Sequence, residues 1–259
     1  MAFTPTSPNP KSEEKFLPQI SLDDVEQIPS KFLTYPEKST IKYRPYSYGE
    51  VKKISQSKHS KKDEFNVILE GIECSFDKMD LTVSDLLYLG LLRKISTLGT
   101  TKVEAKYDCS GCEKVVGKTF QLTDLNLKEL EVPELPVVVD LDSGEFEFTP
   151  LTVKDCFDLI DKDKVSDHIS LLATMCRNKS FEEAYEIFFN CSSPDGMILE
   201  EVDKLLIHEV EPLEAVCSCG AKTLIELDGG QALLLPFRES TDTPRDRVRF
   251  GNKRSDKPS

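Results

Sequence analysis

The chain has 259 residues, enough for one large domain or two modest ones, each with a substantial core. Its 46 acidic residues outnumber 33 Lys and Arg, for a net charge of −13. That balance excludes the basic footprint a nucleic-acid binder needs to displace counterions from phosphate. No apolar run approaches the ~18 residues of a membrane span, and the start Met1-Ala2-Phe3-Thr4-Pro5 lacks a signal peptide's basic and apolar regions. Neither secretion nor membrane insertion is expected.

In chain order, seven of the 15 prolines fall in the first 45 residues, which disfavours helix and sheet ladder there. Residues 1–30 are expected to form an extended or disordered arm. Residues 31–150 form the first part of the body. Within it, 64–75 read as a strand. A helix should then start at the N-cap Thr82, with Asp85 closing a short capping box and Leu86, Leu89, Leu92 and Ile95 on its apolar face. Gly99 should end it. Val103, Ala105 and Tyr107 alternate into a first cysteine pair, and Val115, Val116, Phe120 and Leu122 lead out. Pro136–Leu141, a turn at Asp142-Ser143-Gly144, and Glu145–Phe148 predict a β-hairpin.

Residues 151–210 change to helical patterning. Thr152 with Asp155 and Ser180 with Glu183 are helix starts, and Pro194-Asp195-Gly196 reads as a break before Ile198, Val202, Leu205 and Leu206. Residues 211–237 carry the second cysteine pair between Leu213–Val216 and Leu224–Leu227, then a turn at Asp228-Gly229-Gly230 and a last strand over 232–235. The polar, slightly basic stretch 238–259 is expected to be a disordered tail. Leu81-Thr82-Val83-Ser84-Asp85 is echoed by Leu151-Thr152-Val153-Lys154-Asp155, consistent with a twofold internal repeat.

The chemistry lies in the eight cysteines. Cys74, Cys156, Cys176 and Cys191 stand alone in apolar stretches as small hydrophobes. Cys109-Ser110-Gly111-Cys112 and Cys217-Ser218-Cys219-Gly220 are paired, each pair entered and left by strand-like sequence. Four thiolates on two tight knuckles suit tetrahedral Zn²⁺, and a filled set of four leaves no open position for water or substrate. Cys109, Cys112, Cys217 and Cys219 are therefore candidate ligands of a structural zinc joining distant parts of the chain. A redox Cys-x-x-Cys, mixed ligation with His208, and a site without metal remain open alternatives. No phosphate loop, nucleophile elbow or His-Glu-x-x-His helix is present, and none of the three histidines stands in a pattern that marks a neighbouring nucleophile. No enzymatic activity is expected.

The order of several features resembles the T4-like phage baseplate hub proteins, a family containing a hub subunit and a related hub-assembly catalyst. These features are Ile28-Pro29-Ser30-Lys31 with Tyr35; Ile41-Lys42-Tyr43-Arg44-Pro45; Leu81-Thr82-x-x-Asp85-x-x-Tyr88-Leu89 with Arg93; and Cys109-x-x-Cys112 with a delayed second pair. The resemblance spans about residues 28–236. The chain departs from the pattern at Phe32, where a glycine is expected, and in the Cys-x-Cys spacing of the second pair. The resemblance implies a non-enzymatic part in a phage contractile tail. The protein would be a component of, or assembly factor for, the baseplate hub, with other baseplate or tail proteins as partners. It would reside in the virion baseplate or, during assembly, in the host cytoplasm. A zinc-ribbon adaptor for transcription or replication machinery is the alternative. The fold class expected is α+β: a β-rich, zinc-ribbon-like body with a helical insertion and two flexible ends.

Overall fold

The computed structural model describes residues 22–55, 60–121, 129–162, 167–206 and 213–225. Most of the expected N-terminal arm, the 232–235 strand, the C-terminal tail and His208 lie outside the described residues.

Helix starts follow the local capping chemistry. Thr82 accepts from the Asp85 amide, and the helix Val83–Leu98 (α3) ends on Gly99 in the left-handed region at φ 63°. Thr152 with Asp155 and Ser180 with Glu183 form reciprocal boxes at the starts of Val153–Asp161 (α4) and Phe181–Phe189 (α6). Tyr48–Ser55 (α1), Lys61–Glu70 (α2), His168–Met175 (α5) and Ser193–Leu206 (α7) complete the seven α-helices among the described residues.

Two local expectations are corrected. Residues 64–70 are helix, part of α2, and only Ile72–Cys74 (β3) is strand. Phe65, Val67 and Leu69 alternate as they would in a strand, although Ile68 is buried too and Lys62, Asp63, Asn66 and Glu70 form a polar helical face. Pro194-Asp195-Gly196 lies inside the first turn of α7, where the missing proline N–H has no intrahelical partner to lose.

The sheets are small. Asp23–Asp24 (β1), Ile41–Tyr43 (β2) and β3 form an antiparallel trio. Three antiparallel hairpins follow: Lys102–Asp108 with Val115–Gln121 (β4, β5), Val137–Leu141 with Gly144–Phe148 (β6, β7), and Leu213–Val216 with Lys222–Ile225 (β8, β9). The fold is therefore mixed α+β. Helices occur on both sides of residue 150, so they are not confined to an insertion in a β-rich body.

The two halves run through a similar sequence of parts, with α6 additional in the second. A strand pair (β1–β2, β6–β7) leads through a proline (Pro45, Pro150) into a capped helix (α1, α4). A second helix (α2, α5) returns to pair with the second strand, as β3 on β2 and as Cys176 on Phe148. Another capped helix (α3, α7) leads to a cysteine hairpin. Each half has its own core. Ile41, Phe65, Ile68, Ile72, Leu86 and Leu89 build the first, and Phe146, Phe148, Leu172, Met175, Phe188 and Val202 the second. The halves meet where Val153 enters the first core and Phe157 stacks on Phe65 at 6.2 Å.

The two echoed strings do not occupy equivalent places in the halves. They pair with each other, Val83 N donating to Leu151 O at 3.0 Å and Val153 N to Leu81 O at 2.8 Å.

Candidate metal centre

A third, small core forms where the two cysteine hairpins meet: Tyr107, Cys109, Phe120, Ala215 and Cys217. Strands β4 and β8 deliver the first cysteine of each pair, and β5 and β9 leave after the second. In each knuckle the residue after the second cysteine takes the left-handed conformation, Glu113 at φ 55° and Gly220 at φ 88°. The turn is thus the same despite spacers of two residues and one. Gly111 has a different task. A Cβ there would stand 2.5 Å from the Ala221 Cβ, so the bare backbone lets the hairpins touch. Ser110 N and Oγ reach Thr223 Oγ1 at 3.2 and 3.1 Å and hold the contact from its edge.

The four sulfurs of Cys109, Cys112, Cys217 and Cys219 lie within 4.8 Å of one another, although the pairs are more than a hundred positions apart. Cys109 Sγ is 3.6 Å from Cys219 Sγ, and Cys112 Sγ is 3.8 Å from Cys217 Sγ. A disulfide needs about 2.05 Å, and all eight cysteines are free thiols. Tetrahedral zinc with sulfur at about 2.3 Å separates its ligands by about 3.8 Å. The Cys109–Cys219 and Cys112–Cys217 spacings match such a site and all six lie within 4.8 Å, so these atoms could hold a metal ion.

The electrostatics point the same way. The Gly111 N–H, 3.4 Å from Cys109 Sγ, pulls that thiol down to about 6, and the Cys219 amide lowers Cys217. At Cys112 the Lys114 amide also favours the thiolate, but the neighbouring sulfurs and burial outweigh it and push the thiol up to about 12. Four sulfurs this close cannot all ionise unless a cation shares the site. Among the described residues no helix begins at Cys109, so the dipole that activates a redox Cys-x-x-Cys is missing.

The other signature residues converge on two buried networks rather than on the cysteines. In one, Asp85 on α3 accepts from Ser30 N at 2.9 Å and Tyr35 Oη at 2.5 Å, while Thr82 N donates to the same phenol oxygen at 2.9 Å. Burial and the Asp85 carboxylate push the Tyr35 phenol far up. In the other, Arg93 is 0% exposed. It donates to Arg44 O, Val67 O, Ile68 O and Glu50 Oε1 at 2.6–2.8 Å, and it lies over the Tyr46 ring at 3.9 Å. Its guanidinium thus satisfies two carbonyls in the last turn of α2. Glu50, which also binds Arg44 at 2.7 Å and caps Ser47, was not singled out in the sequence. Its only local signal is a Ser-x-x-Glu box over Ser47–Glu50. Phe32 sits at φ 61° beside Lys31 at φ 52°, the left-handed geometry for which glycine is the natural residue.

These features define an α+β protein whose signature polar residues are spent on internal architecture, with one four-sulfur cluster among the described residues. Residues 31–147 match the family model described as T4 bacteriophage base plate protein, just under half of the chain. The match ends before the second cysteine pair. No curated protein and no solved structure matches the chain.

Proposed function

We propose that the protein acts in the baseplate hub of a contractile phage tail, as a non-enzymatic component or assembly factor, and that Cys109, Cys112, Cys217 and Cys219 bind one structural Zn²⁺. The observation carrying the tail assignment is the match of residues 31–147 to the T4 base plate family. The signature residues in and beside that segment (Ser30 and Tyr35 with Asp85, Arg44 with Arg93) are buried or half-buried ties between elements, as suits a building part rather than a reaction centre. The zinc reading rests on the four-sulfur geometry. A closed four-thiolate site supplies folding energy and no open coordination position. Its partners would be other baseplate or tail proteins. Among the described residues no helix is long and apolar enough to cross a membrane.

Mass spectrometry of purified virions, compared with assembly intermediates, tests the assignment. A hub component is found in both, and an assembly factor only in the intermediates. Absence from both removes the tail role.

A further inference from the structure

Among the described residues, the repeat of parts leaves one seat filled in the first half and its counterpart empty in the second. In the first half, the corner entering α3 (Leu81–Val83) holds the start of α4. Leu151–Val153 pairs there through the two reciprocal backbone hydrogen bonds, and Val153 is 0% exposed. The equivalent corner of the second half enters α7. Ser192 stands where Thr82 stands, accepting from the amide of Asp195 three residues on. Asp195 is buried like Asp85, and each accepts a backbone N–H from the connection between the preceding strands: Asp142 N at 3.2 Å, Ser30 N at 2.9 Å.

At this second corner lies an open cavity of about 470 Å³, lined by Asp142, Glu183, Glu186, Asn190, Cys191 and Ser192 among others.

The piece that would fill it is also identifiable. The counterpart of α4 is α1. Both start three residues after a proline and one residue after a hydroxyl N-cap, and both carry a capping acid at the third helical position, Glu50 or Asp155. The counterpart of Val153 is Tyr48, which is 84% exposed, the most exposed large hydrophobic of the described residues. Its amide, like that of Val153, belongs to a first helical turn and has no acceptor within the helix. Helix α1 carries the exposed Lys52 and Lys53, opposite in charge to the Asp142, Glu183 and Glu186 rim, although Lys53 also pairs with Glu70 of its own chain at 2.8 Å.

We infer that a second copy of this chain inserts the start of its α1, led by Tyr48, into the α6–α7 corner. The contact repeats between molecules the one that joins the two halves within each. Tyr48 N would donate to the Cys191 carbonyl and Ser193 N to the Tyr46 carbonyl. Knob and seat are different surfaces of one molecule, so the association is head-to-tail, and it extends until a ring closes or a chain ends. Neither the metal nor the tail assignment enters this inference.

Sedimentation equilibrium of the full chain over a concentration series tests it. Three samples are compared: the parent, Tyr48→Asp, which spoils the knob, and Asn190→Arg, which blocks the seat. Both changed side chains are exposed, and thermal melts matching the parent establish that each variant is folded. The parent should exceed the 29.2 kDa of one chain as concentration rises, and each variant alone should stay at 29.2 kDa. An equimolar mixture should reach the mass of two chains and no more, because only the intact knob of Asn190→Arg and the intact seat of Tyr48→Asp can engage. A parent that stays monomeric throughout overturns the inference. So does self-association of either variant, or a mixture that does not dimerise.

Discussion

A Cβ on Gly71 would stand 2.1 Å from the guanidinium carbon of Arg93, so the two residues can coexist only if one of them has no side chain. Arg93 is wholly buried and spans α3, α2 and the Arg44 carbonyl, and Gly71 ends α2 where that guanidinium must pass. Gly71→Ala should displace the arginine from Val67 O and Ile68 O. Arg93→Met should leave Glu50 buried with one cationic partner fewer. Each is expected to cost about 3–5 kcal/mol, the range for breaking a buried ion pair from one side. Urea unfolding of the variants measures it. A loss below about 1 kcal/mol for both would mean that the network contributes little to stability.

Removing the metal should unfasten the two cysteine hairpins. Elemental analysis of the purified protein is expected to give about one zinc per chain. Cys109→Ser and Cys217→Ser should each abolish stoichiometric zinc and lower stability by several kcal/mol, because metal binding energy is folding energy. Chelation of the parent should reproduce the melting temperature of either variant. Variants that melt like the parent would show that the sulfurs meet without fastening anything.

Acid should weaken the first half through Glu50. Burial works to raise its pKa, but hydrogen bonds from Arg44, Ser47 and Arg93 prevail and hold it at about 2, below the ordinary 4.5. A carboxyl depressed on folding contributes stability that is complete above the unfolded pKa and is lost as pH falls through the folded one. The window is therefore roughly pH 4.5 down to 2. In Glu50→Gln the melting temperature should be lower at pH 7 and fall less steeply across that window. Parallel curves for parent and variant would remove Glu50 from the acid response.

Tyr35→Phe isolates the other network. The phenol donates to Asp85 and accepts from Thr82 N, so its loss leaves two buried groups short of a partner. The expected cost is about 1–3 kcal/mol. Hydrogen exchange at the Thr82 amide should speed up beyond the change at Gly99, at the far end of α3. Equal changes at both ends would indicate general loosening instead.

Gly220 holds the second knuckle's turn at φ 88°. Gly220→Ala should cost about 1–2 kcal/mol, the steric price of a Cβ in the left-handed region. Glu113→Gly, at the matching turn, should change stability in the opposite direction. Thermal melts of the two variants give the comparison, and shifts of the same sign would contradict the shared turn geometry.

What the sequence made legible was local. The starts of α3, α4 and α6 could be read because a cap and its acid sit three residues apart, and the 136–148 hairpin because its turn residues dictate its register. The two cysteine pairs were visible as knuckles for the same reason. The α2 segment resembles a strand because Phe65, Val67 and Leu69 alternate, while the polar helical face of Lys62, Asp63, Asn66 and Glu70 begins before the apolar run and is diluted by buried Ile68. Its Ser60–Asp63 capping box was the overlooked signal. Glu50 and Gly71 gain their meaning only from Arg93, 43 positions from Glu50, and no local pattern encodes such a meeting. The same holds for Gly111 against Ala221.

The cysteine hairpins also govern how the molecule would carry load. Cys109 and Cys219 lie 110 positions apart in the chain yet are neighbours in space, with α4 to α7 strung between them. Once a metal joins them, tension pulling residues 22 and 225 apart passes from β4 through the ion to β9. The stretch carrying α4 to α7 forms a bypass beside that route, tied to the first half through Val153 and the pairing with Leu81–Val83. Most of the second core would then lie off the shortest route for force, and the sulfur–metal bonds would lie on it.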